Sequence, residues 1–153
     1  MTTIDEIDGQ LLRTLLVDGR ASASDLAEAA GVATSTATKR LARLEDEGVV
    51  GGYQPEVNYA ALGYEVTAVF RLDVAGDGIP AVVEDLRATD RMVDVFEVTG
   101  DDDIVAIGKF TDTTELNARI KAVLTHEHVR SANSNIVLDT VCEHDHPPVS
   151  PAE

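Results

Sequence analysis

Ser22-Ala23-Ser24-Asp25-Leu26-Ala27-Glu28-Ala29-Ala30-Gly31-Val32-Ala33-Thr34-Ser35-Thr36-Ala37-Thr38-Lys39-Arg40-Leu41-Ala42-Arg43-Leu44 is the stretch on which the architecture turns. Ser22 followed three residues later by Asp25 has the spacing of a capping box, in which two side chains satisfy the free N–H groups at a helix start. Leu26, Ala27 and Ala30 supply the buried face of that helix, and Gly31 stops it after about two turns. A further helix is expected almost at once, from about Thr34 to Glu47 and closed by Gly48, with Ala37, Leu41 and Leu44 at i, i+4 and i+7 as its buried stripe. Ala33 has no capping side chain, so Thr34 is the expected cap. At 100° per residue the opposite side carries Ser35, Lys39, Ala42 and Asp46, flanked by Thr36 and Arg43. Ser35, Thr36, Thr38 and Lys39 therefore lie exposed in the first half of the helix, and the small Ala37 and Ala42 permit close approach.

Two short helices joined at a glycine, the second opening with hydroxyls and bases, form the pattern of a helix-turn-helix that reads double-stranded DNA. Thr34, Ser35, Thr36, Thr38, Lys39, Arg40 and Arg43 are the candidate DNA-binding residues. The two arginines are placed for phosphates or for a salt bridge to Glu45, Asp46 or Glu47. The plainer alternative is a three-helix bundle whose polar face is only solvated.

Upstream, Ile4, Ile7, Leu11, Leu12, Leu15 and Leu16 make one apolar stripe on a helix that ends at Asp18-Gly19, with Asp5, Glu6 and Asp8 favourably near its N-terminus. Downstream, Val49-Val50-Gly51-Gly52-Tyr53 reads as a short strand or hinge, and residues 51–63 as a linker. The periodicity then changes. Residues 65–74 alternate as a strand with Val66, Ala68, Phe70 and Leu72 on one face. Ile79, Val82, Val83 and Leu86 mark a helix with Pro80 in its first turn. Strands are expected near 92–99 and 104–110, a helix capped within Asp112-Thr113-Thr114-Glu115 with the stripe Leu116, Ile120, Val123 and Leu124, and a last strand over 129–141. The order β-α-β-β-α-β is the split βαβ, or ferredoxin-like, arrangement. The fold class expected is α+β: a helix-turn-helix domain, simple or winged-helix-like, over residues 1–50, and a ferredoxin-like domain over residues 64–142. Residues 143–153, with Pro147, Pro148 and Pro151, read as a disordered tail.

Composition narrows the function classes. The 153 residues are 44% hydrophobic, enough for a packed core. No apolar run approaches the roughly 20 residues that span a bilayer. Met1-Thr2-Thr3-Ile4-Asp5 lacks the basic and apolar regions of an export signal, and the lone Cys142 has no internal disulfide partner, so a cytoplasmic location is expected. The net charge of -16, from 28 acids and 12 bases, is unfavourable for contact with a polyanion. It is, however, unevenly spread: residues 1–50 carry nine acids and five bases, leaving the larger excess beyond them. Abundant aspartate, three lysines and few aromatics resemble proteins of salt-loving organisms, where surface charges are screened. Cys142, His144 and His146 alternate in the tail without preorganisation for a metal, and His126 and His128 sit where cations favour a helix end. No metal, cofactor or catalytic constellation is expected.

Taken together, the segments resemble the Lrp/AsnC, or leucine-responsive, family of regulators. The resemblance is carried by Ile4-Asp5-Glu6-Ile7-Asp8 running into Leu11-Leu12, Gly19-Arg20-Ala21-Ser22, Asp25-Leu26-Ala27 and Gly31-Val32-Ala33. It continues through Arg40-Leu41-Ala42-Arg43-Leu44-Glu45, Glu47-Gly48-Val49-Val50, Leu62-Gly63 and Val98-Thr99-Gly100-Asp101-Asp102-Asp103. It implies a homodimer built from the second domain, dimers stacked into octamers, and an amino acid or related small effector at the dimer–dimer interface. By the same resemblance Gly100, Asp101, Asp102 and Asp103 line the effector site, with Ser134 on the last strand. A glycine turn can offer N–H groups to a carboxylate, and Asp103 can pair with an ammonium group. The chain departs from the family where Asp102 replaces a common aromatic and Ala33 a capping serine. Two alternatives remain: a haem-pathway decarboxylase-like protein on the same fold, against which Lys39, Arg40 and Arg43 argue, and a DNA-free assembly module.

Overall fold

The computed structural model describes residues 3–143 and 145–149, so His144 lies outside the described residues. The chain forms two compact units, one running to Glu56 and joined by the described tail from Cys142 onward, the other spanning Val57–Val141.

In the first unit α1 spans Glu6–Val17, α2 Ala23–Ala30 and α3 Thr34–Asp46. Asp5 caps α1 through a reciprocal box with Asp8: the Asp8 N–H donates to Asp5 Oδ1 at 2.9 Å and the Asp5 N–H to Asp8 Oδ2 at 3.2 Å. The expected box at α2 is present, with the Ser22 N–H donating to Asp25 Oδ2 at 2.8 Å and the Asp25 N–H to Ser22 Oγ at 3.2 Å. Gly31 then takes φ +65°, a left-handed turn that glycine adopts without a Cβ clash. Leu11, Leu26, Ala27 and Ala37 are buried together, with Leu15, Ala21, Ala30, Val32 and Leu41 packed around them.

Two expectations are corrected in this unit. The N-cap of α3 is Ala33, with no side-chain cap, and Thr34 is already helical, so Thr34 does not cap it. Residues 49–53 form no strand: the N–H groups of Val49 and Val50 fold back onto the Leu44 carbonyl at 2.8 and 3.1 Å. Among the described residues the unit is thus a simple helix-turn-helix with no wing strand. The described tail, read from its prolines as disordered, is assigned to this unit, and Arg13 donates to the Val149 carbonyl at 2.9 Å.

The second unit contains β1 (Val66–Val74), α4 (Ile79–Arg87), β2 (Met92–Glu97), β3 (Ile104–Phe110), α5 (Thr113–Leu124) and β4 (Val129–Ile136), after a single 3-10 turn at Ala60–Leu62. The sheet order is β2-β3-β1-β4, with every neighbouring pair antiparallel. This is the βαββαβ arrangement read from the sequence. Burial alternates along β3 and most of β1, placing Ala68, Phe70, Leu72 and Val74 beside Ile104, Ala106 and Phe110. Val82 and Leu86 of α4 and Leu116 and Val123 of α5 complete this core. Asp112 caps α5 as expected, accepting from the Thr114 and Glu115 N–H groups at 2.7 and 2.8 Å. Leu124 is 50% exposed rather than part of the buried stripe. β4 ends five residues before the expected position: Ile136 pairs with Ala68, and the last bond is Val137 N–H to Thr67 O at 2.9 Å.

Phe70 and Phe110, with ring centroids 6.0 Å apart, anchor the centre of this core. Phe70→Ala is expected to destabilise the second unit by about 3–5 kcal/mol through lost burial and a residual cavity, measured as a lower urea midpoint.

Candidate nucleic-acid interface and effector turn

Ala37, fully buried, and Leu41 bind α3 to the helical core, and Leu44 is buried on the same stripe, which fixes which side of α3 faces outward. Thr34, Ser35, Thr36, Thr38 and Lys39 are all exposed on the first half of the helix. The Thr38 hydroxyl donates to the Thr34 carbonyl at 2.9 Å, leaving its oxygen lone pairs to accept from outside. Because Ala33 supplies no cap, the first N–H groups of α3 meet no side-chain acceptor, and the positive end of the helix dipole is presented on the same surface. Hydroxyls, one ammonium group and a bare helix start thus converge there. This arrangement can accept and donate hydrogen bonds at base edges and attract a phosphate oxygen.

Arg40 and Arg43 take a different place from the one expected. Neither reaches Glu45, Asp46 or Glu47; both turn back to α1. Arg40 Nη1 bonds Asp5 Oδ2 at 2.5 Å and Asp8 Oδ1 at 3.1 Å, while Arg43 Nη2 bonds Asp8 Oδ2 at 2.5 Å. The Asp8 side chain is 1% exposed and is the buried acid at the centre of this cluster. A carboxylate removed from water is retained only when opposite charge and hydrogen bonds replace its hydration, and two guanidinium groups do so here. Sequence reading took Asp8 as a dipole-favouring acid and missed this role. A signal was present: at 100° per residue Asp8 falls between Leu15 and Leu12, inside the apolar stripe rather than beside it. Asp5 is held to about 2, below the ordinary value of 3.8, first by the Asp8 N–H and then by Arg40.

The candidate effector residues lie in the second unit. The turn joining β2 to β3 is closed by Val98 N–H to Asp103 O at 2.9 Å, and Gly100 takes φ +125°, where a side chain would be strained. Asp103 is engaged within the sheet: its Oδ2 accepts from the Val74 N–H at 2.8 Å, and its own N–H donates to Leu72 O at 2.9 Å. One oxygen of Asp103 therefore caps the end of β1, which weakens its expected role as ammonium partner. Asp101 is exposed and Asp102 half-buried, and neither carboxylate is engaged by the described residues. Ser134 lies on β4 opposite Phe70, so β1 stands between it and β3. Two strand spacings amount to about 10 Å. A single subunit does not bring Ser134 and the turn into contact.

A sequence model of the AsnC-type helix-turn-helix domain matches residues 4–45, and one of the Lrp/AsnC ligand binding domain matches residues 67–147. The chain belongs to the Lrp/AsnC family. It is a helix-turn-helix transcriptional regulator with a ligand-binding domain. An uncharacterized HTH-type transcriptional regulator of Pyrococcus furiosus is 34% identical over 140 residues, covering 92% of this chain and 95% of that protein. Two solved structures share the fold of this Lrp/AsnC chain at comparable length. The complex of a Neisseria meningitidis transcriptional regulator with L-Met has a TM-score of 0.87 and 26% identity, covering 97% of each chain. The feast or famine regulatory protein of Mycobacterium tuberculosis, complexed with L-methionine, has a TM-score of 0.84 and 30% identity, covering 95% of this chain and 99% of that one. No helix among the described residues is long and apolar enough to cross a membrane.

The depressed acidity of Asp5 gives the α1–α3 contact a pH signature. A folded-state value below the unfolded one contributes stability that is complete above about 4 and is lost as pH falls through about 2. Urea midpoints of the wild type and Asp5→Asn are expected to differ at pH 5 and to converge as pH drops toward 2. A difference that stays constant down to pH 2 would contradict this.

Proposed function

We propose that this regulator binds double-stranded DNA sequence-specifically through the outward side of α3, as a homodimer whose occupancy responds to an amino acid or related metabolite. The observation that carries the reading is the exposure of Ser35, Thr36, Thr38 and Lys39 together on a helix whose opposite side is locked into its own core. Thr34 lies at the bare helix start, beside N–H groups that suit a phosphate. Two such helices in successive major grooves, about 34 Å apart, give a near-palindromic site.

The bare side of the sheet supports assembly. Phe96 pairs with Val105, and Val69 with Ile107, on the face opposite the helices. Phe96 is 50% exposed, while Val69, Val105 and Ile107 are only half-buried. A second copy laid on this face would remove that apolar surface from water, which favours the homodimer. Dimers stacked into octamers would let the Gly100–Asp103 turn of one subunit meet Ser134 of another. Support for an amino acid effector comes from the L-methionine complexes of the Neisseria and Mycobacterium proteins. On this chain the turn N–H groups would take the carboxylate, and Asp101 or Asp102 the ammonium group. Regulator relatives across the full fold, and a base on the reading side of α3, favour this assignment over a decarboxylase. We place the protein in the cytoplasm, and read its acidity as suited to a salt-rich interior.

Selection from a random duplex library, followed by fluorescence anisotropy, tests the DNA reading. Lys39→Ala is expected to weaken the selected duplex by about tenfold to a hundredfold, the 1–3 kcal/mol of a well-placed base contact. Unchanged affinity in both Lys39→Ala and Ser35→Ala would refute it. Calorimetric titration with L-methionine and other amino acids tests the effector, with weakened binding expected in Asp101→Asn or Asp102→Asn. Screening of the -16 charge predicts a melting temperature that rises between 0.1 and 2 M KCl.

A further inference from the structure

We propose that Asp8, together with Asp5, is a specificity-determining positioning pair that withholds Arg40 and Arg43 from the phosphate backbone, so that α3 reads sequence instead of gripping any duplex. The inference rests on the DNA reading of α3 given above.

It follows from where each cation of residues 1–50 points. Arg13 donates to Gln10 Oε1 at 2.9 and 3.3 Å and to the Val149 carbonyl. Arg40 and Arg43 are held by Asp5 and Asp8. Among the described residues this leaves Arg20 and Lys39 as the cations of that segment whose side chains no neighbouring acceptor holds. Asp8 spends one oxygen on each arginine and also accepts the Asp5 N–H, so its lone pairs are largely committed. Two carboxylates against two guanidinium groups make the cluster neutral. The orientation of Arg43 is imposed by this pairing rather than by satisfaction of all its donors, because its Nε is buried without an acceptor.

The consequence for binding is quantitative. Each phosphate neutralised contributes about 0.9 to the slope of log affinity against log salt, whatever the sequence. An arginine released on the reading helix would therefore strengthen binding to any duplex, and most where no base contact fixes the register of α3, which dilutes discrimination. Held by Asp8, the arginines brace α3 against α1, leaving Lys39 and the hydroxyls to meet the bases. Asp8 touches no DNA; it acts through the two arginines.

Anisotropy titrations of the full-length protein with the selected duplex and a scrambled one, between 0.1 and 1 M salt, test this. Arg43→Gln is expected to leave the salt slope on the scrambled duplex at the wild-type value. Asp8→Asn is expected to steepen it by about 0.9 per released arginine per subunit, and to lower the selected-to-scrambled affinity ratio at least tenfold. Adding Arg40→Gln and Arg43→Gln to Asp8→Asn should return the slope to the wild-type value, which a merely destabilised helix would not do. Should Asp8→Asn fail to fold by circular dichroism, the Arg43→Gln slope decides alone. A slope reduced by about 0.9 per subunit in Arg43→Gln shows a phosphate contact and overturns the inference while leaving the DNA reading intact. A wild type that binds neither duplex overturns both.

Discussion

A carboxylate that water cannot reach, Asp8, has to be matched by positive charge from the fold itself, and the arginines that match it belong to α3, the second helix of the helix-turn-helix. That requirement ties α1 to α3 by charge on one side while Ala37 and Leu41 tie α3 to the core by apolar contact. With both attachments made, α3 has little freedom to roll about its axis. Its exposed residues then keep a constant orientation, the condition for hydrogen bonds to base edges to discriminate. The cap at the start of α1 belongs to the same cluster, since Asp5 serves the Asp8 N–H and Arg40 at once. Helix initiation and helix docking are thus coupled through two aspartates.

This placement also resolves the apparent conflict between a strongly acidic chain and a nucleic-acid partner. Net charge governs long-range attraction, but groove recognition depends on the few groups that arrive within hydrogen-bond distance. The acids nearest the reading helix at its α1 side are neutralised by internal partners. Most of the remaining acidity lies in the second unit, beyond residue 50.

The second unit uses its sheet in two ways. One face is filled by α4 and α5 and forms the core; the other, carrying Phe96, Val105, Val69 and Ile107, remains bare in the single subunit. The Gly100–Asp103 turn is anchored at Asp103, which bonds the end of β1 through both its backbone and its side chain. Such anchoring lowers the ordering cost of a ligand bound at the turn. Separation of the turn from Ser134 by β1 means that any site using both must draw them from different subunits.

Residues close in the chain settled much of this architecture. Ser22 and Asp25, Asp112 and its followers, Gly31, and the alternation from Val66 to Leu72 all act over a few residues, so helices, strands and their order were legible directly. The ferredoxin-like topology followed from that order, because short connections leave few ways to pair four strands. Which residue meets which was not legible. The ending of β4 at Ile136 depends on its pairing with β1, the unstranded path of residues 49–53 on the Leu44 carbonyl, and the half-commitment of Asp103 on the Val74 N–H. Above all, Arg40 and Arg43 had acids within five residues and chose others more than thirty residues away. Local pattern is written in spacing along one chain, whereas the partner of a charge is decided by which groups burial brings together, and only the folded arrangement sets that.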